Sequence, residues 1–105
     1  MDIRDITAAV HDGRVRITDH AEEAAVDDRL SWGDIFYSVD NGEIIEDYPS
    51  DKPYPSCLIY GNDLESNLIH SVWAYNPDNQ WAVVITVYRP TPELWIDGRI
   101  RRKTP

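Results

Sequence analysis

Apolar positions in the first 40 residues recur at the spacing of α-helices. Residues 3–10 carry them three and four apart, and the pattern ends at residues 12–13, where glycine tolerates a left-handed cap. Residues 15–17 alternate apolar and polar positions, which is typical of a short extended segment. Two further helices are predicted, over about 18–29 and about 31–41, because each opens with a capping residue followed by acidic residues.

After residue 42 the pattern changes to that of β-strands. Strands are predicted over 43–48, 56–60, 68–75 and 81–88, where β-branched and aromatic residues are dense and turn residues lie between the segments. Short connections between consecutive strands favour an antiparallel meander. Residues 91–93, Thr-Pro-Glu, have the form of a helix N-cap followed by proline at the first helical position. The predicted fold is α+β, with the N-terminal helices packed on one face of a roughly four-stranded antiparallel sheet.

Length and composition predict one domain over residues 1–105, because single domains most often have about 100–150 residues. The single cysteine, Cys57, cannot form an internal disulfide. The N-terminus lacks the features of a secretory signal, and no segment has the ~18 consecutive apolar residues of a membrane span. These observations predict a cytoplasmic protein that does not enter a membrane. They do not indicate its oligomeric state.

Charge is unevenly distributed along the chain. The net charge is −9, which argues against a general nucleic-acid binder because phosphate backbones are held by Lys and Arg. Residues 1–65 hold sixteen acidic and five basic residues, whereas residues 66–105 hold three and five. The acidic part could attract a basic partner and the basic end could hold RNA, or both could be solvated surface.

Candidate chemistry is confined to histidines and a few strand residues. His70 lies within an apolar strand and by alternation shares a face with Leu68, Val72 and Ala74. Its imidazole could act as a general acid or base, or it could be a satisfied core histidine. Thr86 and Tyr88, predicted to share a face with residues 82 and 84, could bind a phosphate together with Arg89.

His20 opens the second predicted helix, where the helix dipole favours a neutral imidazole suited to act as a base. Together with Glu22, Glu23, Asp27 and Asp28 it could also suggest a metal site, but an acidic solvated face explains the same residues. The chain has no glycine-rich phosphate loop and no cysteine pair at metal-binding spacing. The sequence therefore predicts neither a cofactor nor a metal.

Taken in order, these features resemble the bacterial family known as domain of unknown function 4258, over about residues 15–102. The family pattern combines a helix that opens with His-Ala, an Asn-Gly-Glu turn into a strand, a Leu-His-Val strand and a Thr-Val-Tyr strand. The corresponding residues are Thr18-Asp19-His20-Ala21, Asn41-Gly42-Glu43-Ile44-Ile45-Glu46-Asp47-Tyr48-Pro49, Leu68-Ile69-His70-Ser71-Val72, Ile85-Thr86-Val87-Tyr88-Arg89-Pro90 and Trp95.

The resemblance implies a fold similar to RelE-like and barnase-like ribonuclease toxins, with a small zinc-ribbon antitoxin as partner. It implies a metal-independent endoribonuclease in which His20, His70, Thr86 and Tyr88 are catalytic. RNA would be held by the cationic residues Arg89, Arg99, Arg101 and Arg102. The alternative is a non-catalytic interaction domain whose acidic helical face binds a basic partner. A catalytic histidine should be accessible in a cleft, whereas a structural one should be buried with both nitrogens satisfied.

Overall fold

A computed structural model describes residues 1–103 of the chain. Its three helices are α1 (Ile3–His11), α2 (Asp19–Asp27) and α3 (Trp32–Asp40). Each begins after a residue whose side chain accepts a hydrogen bond from a first-turn backbone amide: Asp2, Thr18 and Ser31, respectively. The predicted starts of α2 and α3 are therefore confirmed. None of these helices is long and apolar enough to cross a membrane.

One sheet contains five strands: β1 (Val15–Ile17), β2 (Glu43–Tyr48), β3 (Ser56–Asn62), β4 (Leu68–Asn76) and β5 (Trp81–Tyr88). The spatial order is β1-β5-β4-β3-β2, and β2 to β5 form the predicted antiparallel meander. The prediction of four antiparallel strands is wrong in one respect, because β1 adds a fifth strand parallel to β5. The extended segment over 15–17 is predicted from its alternation, but three residues are too short a signal to place that strand in the sheet.

Thr91-Pro92-Glu93 opens a single hydrogen-bonded turn, since the Thr91 carbonyl oxygen accepts from the amides of Leu94 and Trp95. A small hairpin follows this turn. Strands β6 (Trp95–Ile96) and β7 (Ile100–Arg101) pair antiparallel. Asp97 and Gly98 both have positive φ, of 53° and 71°, and this backbone conformation reverses the chain direction. We call residues 95–101 the C-terminal hairpin.

The apolar core lies between the helices and one face of the sheet, which we call the helix face. Ala21 and Ala25 of α2 are buried there, and their small side chains let the helix approach β5 closely. Gly61 of β3 is equally necessary, because a Cβ atom there would lie 1.9 Å from the carbonyl oxygen of Ser38 in α3. The sheet contributes the large apolar side chains of Ile59, Ile69, Trp73, Val84 and Val87.

Two β-bulges determine which strand residues point away from the helices, onto what we call the outer face. In β5, Val84 pairs with Trp73 and Thr86 pairs with Val72, so Ile85 is an extra residue. The predicted common face of Thr86 and Tyr88 with residues 82 and 84 is therefore wrong. In β2, Ile45 is the extra residue, since Ile44 pairs with Ile59 and Glu46 with Leu58. Both bulges turn the polar ends of their strands toward the outer face.

Candidate functional site

Polar and aromatic side chains of three strands meet the C-terminal hairpin on the outer face. We call Glu46, Tyr48, His70, Tyr88 and Arg101 the outer-face cluster. The register aligns His70 with Tyr88 on β5 and with Tyr60 on β3. Glu46 and Arg101 hydrogen-bond to each other at 3.1 Å, and Arg101 lies 4.6 Å above the ring of Trp95, which packs against His70.

His70 is fully buried, and both of its ring nitrogens have partners. Nε2 lies 2.6 Å from the carbonyl oxygen of Gly98, and Nδ1 lies 3.2 Å from the hydroxyl of Tyr88. A carbonyl can only accept, so Nε2 carries the proton of the neutral ring, and Nδ1 accepts from the Tyr88 hydroxyl. Burial lowers the pKa of His70, although the Gly98 carbonyl partly opposes this effect. The ring is therefore neutral at pH 7 and connects the hairpin to β5.

Trp95 covers the same imidazole from the hairpin side. The two ring centroids are 4.5 Å apart and the planes are nearly perpendicular, an edge-to-face arrangement. The geometry matches that expected of a structural histidine rather than one that reaches a substrate. His70 thus satisfies the criterion that favours the non-catalytic interpretation of this residue.

Glu46 is the accessible acidic group of the cluster, with about a quarter of its side chain exposed. Its carboxylate accepts hydrogen bonds from the Tyr48 hydroxyl and from Arg101 Nη2, the latter at 3.1 Å. Burial alone would raise the pKa of the Glu46 carboxyl, but these two hydrogen bonds outweigh it and hold the pKa below its usual value. Glu46 is therefore ionised at neutral pH, with a cation and a phenol beside it.

Burial raises the pKa of both cluster tyrosines, and that of Tyr48 rises to about 12, with the neighbouring Glu46 carboxylate adding to the effect. Both phenols are accordingly protonated at neutral pH. Thr86 lies two residues before Tyr88 in β5, opposite Val72, and is half-buried. The structure thus brings three of the four predicted catalytic residues, His70, Thr86 and Tyr88, to one face.

The fourth, His20, lies elsewhere. It is exposed on α2, which packs on the helix face through Ala21 and Ala25. The sheet separates His20 from the imidazole of His70. The two histidines therefore cannot act as an acid and base pair on one phosphate in this conformation.

Three of the four arginines predicted to hold RNA are paired with carboxylates. Arg89 bonds to the nearly buried Asp63 at 3.0 Å and to the carbonyl oxygen of Leu68, which makes it a link between β5 and the β3–β4 turn. Arg99 pairs with Glu43 and lies 4.3 Å above the ring of Tyr60. Arg101 pairs with Glu46 and lies 4.6 Å above the ring of Trp95.

Arg102 differs from these three. It is exposed, and its Nε donates to the carbonyl oxygen of Pro92 at 2.6 Å. Within residues 1–103 no carboxylate pairs with it. Its charge is therefore not neutralised by a neighbouring residue in this part of the chain.

The acidic residues of α2 lie on the opposite side of the molecule from the cluster. Glu22, Glu23 and Asp27 line a shallow concavity with Val26, whose side chain is 76% exposed. No group of three potential ligands in residues 1–103 is arranged to hold a metal ion. The acidic surface therefore offers charge and one apolar contact.

The sequence did not identify Glu46 and Tyr48 as site residues, because strict alternation of facing along a strand does not anticipate the two bulges. A signal was present in both strands. Consecutive β-branched residues at 44–45 and 83–85 interrupt the alternation of apolar and polar positions immediately before the polar ends of β2 and β5. Such an interruption is compatible with an extra residue in the strand.

Comparison with known proteins places the chain in a family without adding an activity. No curated protein and no solved structure matches it. The model of one family matches residues 17–89, which extend from the end of β1 to the residue after β5 and exclude the C-terminal hairpin. Because this match covers more than half of the sequence, the chain belongs to the family described as domain of unknown function (DUF4258).

Proposed function

We propose that the outer-face cluster is the active site of a metal-independent endoribonuclease. The observation that carries the proposal is the Glu46 carboxylate, which is partly accessible, ionised at neutral pH and bonded to both Arg101 and Tyr48. Cleavage of RNA through its own 2′-hydroxyl needs a base, a cation for the phosphate and a proton donor for the leaving oxygen. These three residues supply one group of each kind.

In the proposed reaction Glu46 accepts the proton of the ribose 2′-hydroxyl. The 2′-oxygen then forms a bond to phosphorus while the bond from phosphorus to the 5′-oxygen breaks. Tyr48 is protonated at neutral pH because burial raises its pKa to about 12, and it donates its proton to the departing 5′-oxygen. The products are a 2′,3′-cyclic phosphate and a free 5′-hydroxyl.

Arg101 has five N–H groups, of which the hydrogen bond to Glu46 uses one. The remaining groups can bind the non-bridging phosphate oxygens as charge develops on them. The Tyr88 hydroxyl donates its hydrogen bond to His70, so its oxygen can accept one from a ribose hydroxyl. Thr86 orients the phosphate beside it. His70 is in this proposal a positioning residue for Tyr88 and for the hairpin that carries Arg101.

The family resemblance implies a fold similar to RelE-like and barnase-like toxins, and this implied likeness supports the same reaction class. It also supports a role as the toxin of a two-gene module with a zinc-ribbon antitoxin as protein partner. RNA would be the substrate.

Glu43 provides a matched control for Glu46. Both carboxylates lie on β2 and pair with an arginine of the hairpin, but Glu43 lies at the other end of the strand from Tyr48, which bonds to Glu46. Wild type, Glu46→Gln and Glu43→Gln should be induced at equal levels in a bacterial host, and the purified proteins incubated with RNA in a metal chelator. We expect wild type to arrest growth and to leave cyclic-phosphate ends on RNA. Glu46→Gln should lower the cleavage rate by about 100-fold or more, and Glu43→Gln should not. Equal activity of the two variants would refute the role of Glu46, and absence of both arrest and cleavage by wild type would refute the enzyme.

A second candidate is a non-catalytic domain that binds a basic partner through α2. The observation that favours it is Val26, 76% exposed among Glu22, Glu23 and Asp27, because an apolar side chain with an acidic rim suits an apolar and basic segment. A synthetic peptide rich in arginine and valine should then shift the amide resonances of α2. Replacing Val26 by Asp should abolish these shifts and leave any RNA cleavage unchanged, whereas shifts spread evenly over the acidic surface would exclude a specific site.

A further inference from the structure

A cavity of about 410 Å³ lies between the Pro90–Pro92 segment and the C-terminal hairpin. Its walls are mostly apolar and include Leu68, Pro92 and Ile96. Thr91, Asp97 and Arg102 add a hydroxyl, a carboxylate and a guanidinium at the same opening. A few polar groups around an apolar hollow of this size are typical of small-ligand sites.

The cavity adjoins the outer-face cluster through two shared residues. Trp95 lines the cavity, packs edge-on against His70 and lies beneath the guanidinium of Arg101. Gly98 also lines the cavity, and its carbonyl accepts from His70. A ligand in the cavity would therefore lie one side chain away from Arg101.

Among the cavity-lining residues, Arg102 supplies a positive charge that no carboxylate pairs with within residues 1–103. Its Nε is held by the Pro92 carbonyl oxygen, which fixes the guanidinium at the edge of the cavity. Arg89, Arg99 and Arg101 are each paired with a carboxylate, and within residues 1–103 Arg102 is not. A guanidinium plane beside an apolar hollow is suited both to stack on a base and to bind a phosphate.

We propose that this cavity is a nucleotide subsite, which takes one base of a single-stranded RNA and places its phosphate against Arg102. The inference rests on the proposed ribonuclease function, since continuity with the cluster is what identifies the ligand as RNA. The base lies against the apolar walls, and the Thr91 hydroxyl and Asp97 carboxylate face its polar edge. Residues 90–102 follow the part of the chain that matches the family, so the subsite would determine the base preference of this protein in particular.

Binding can be measured without cleavage, because a mononucleotide contains no phosphodiester bond. The full chain should be titrated with adenosine, guanosine, cytidine and uridine monophosphates while the amide and indole resonances are followed. We expect shifts centred on Trp95, Ile96 and Gly98 with at least one nucleotide. Arg102→Gln should weaken that binding about three- to tenfold, the range for one exposed charge-assisted hydrogen bond. Arg16→Gln is the matched control, because Arg16 is exposed on β1 and has no carboxylate partner within residues 1–103, and it should leave binding unchanged.

Two further probes separate the base from the phosphate. If inorganic phosphate gives the same shifts at the same concentration, the cavity is an anion site and base recognition is refuted. If no nucleotide shifts the cavity resonances at ~10 mM, or if Arg16→Gln weakens binding as much as Arg102→Gln, the subsite is refuted. Nucleotide binding by a protein that cleaves no RNA would refute the proposed enzyme and keep the subsite. RNA cleavage without nucleotide binding would refute the subsite and keep the proposed enzyme.

Discussion

Replacement of His70 by alanine tests whether this residue holds the hairpin or performs chemistry. The imidazole is fully buried, bonded to Gly98 and Tyr88 and packed edge-on against Trp95. Removing a buried ring of this size leaves a cavity that costs about 2–5 kcal/mol in other proteins. The buried Gly98 carbonyl also loses its partner, which costs about 1–3 kcal/mol.

The hairpin can partly fill the space left by the removed imidazole. We therefore expect His70→Ala to lower the free energy of unfolding by about 4 kcal/mol. That is a large fraction of the roughly 5–15 kcal/mol that stabilises a typical domain. With a urea dependence of about 2 kcal/mol per molar, the unfolding midpoint should fall by about 2 M. His70→Gln should lose less, because its amide can still donate to the Gly98 carbonyl. His20→Ala should change stability by less than about 0.5 kcal/mol, since His20 is exposed.

The assay combines urea unfolding with hydrogen exchange of the Arg102 amide, which bonds to the Leu94 carbonyl oxygen across the hairpin strands. Faster exchange at Arg102 in His70→Ala, with protection in β3 and β4 reduced only by the global change, would identify His70 as the hairpin's anchor. A variant as stable as wild type that nevertheless loses RNA cleavage would refute this reasoning. It would restore the catalytic role that the sequence predicts for His70.

Three other predictions concern pH, packing and thiol chemistry. Because burial lowers the pKa of His70 below 6.5, the folded protein binds fewer protons than the unfolded chain at mildly acidic pH. The free energy of unfolding in urea should therefore fall as the pH drops below about 6.5. His70→Gln should lose this pH dependence, and a variant that keeps it would show that another group is responsible. Gly61→Ala should destabilise by about 3 kcal/mol or more, because its Cβ would lie 1.9 Å from the Ser38 carbonyl oxygen, whereas Gly33→Ala in α3, with no contact closer than 3.9 Å, should be neutral or stabilising by thermal unfolding. Cys57 is buried, and burial raises its pKa to about 12; a thiol reagent should therefore label it only at the rate of unfolding, and fast labelling at pH 8 would show that β3 opens locally.

Helix positions were predictable because their signals are local. A capping side chain and a helical stripe depend on residues within one or two turns, and Thr18 and Ser31 act as the sequence indicates. The pairing of β1 with β5 depends instead on residues about 67 positions apart, such as Val15 and Ala82. Nothing within a three-residue segment specifies such a partner, so the fifth strand could not be placed from sequence.

The site was predictable only where its residues could be recognised from local sequence. His70, Thr86 and Tyr88 were identified as residue types on strands, and the structure brings them to one face. The burial of His70 could not be foreseen, because it results from the hairpin that folds back over β4 from residues 95–101. The pairing of Arg99 and Arg101 with carboxylates of β2 has the same origin.

The two bulges explain how one sheet can serve both a core and a polar site. In β2 Ile44, immediately before the bulge, faces the helices opposite Ile59, and Glu46, immediately after it, points outward. In β5 the order is the same, with Val84 toward the core and Thr86 outward. If β2 and β5 paired without bulges, strict alternation would send Glu46 and Thr86 to the helix face, where an unpaired carboxylate in an apolar core is strongly unfavourable. Each bulge accommodates one extra residue, Ile45 in β2 and Ile85 in β5. Deleting that residue would make its two neighbours consecutive, so we expect Glu46 or Thr86 to stay on the outer face, opposite Leu58 or Val72, in a ladder without the bulge.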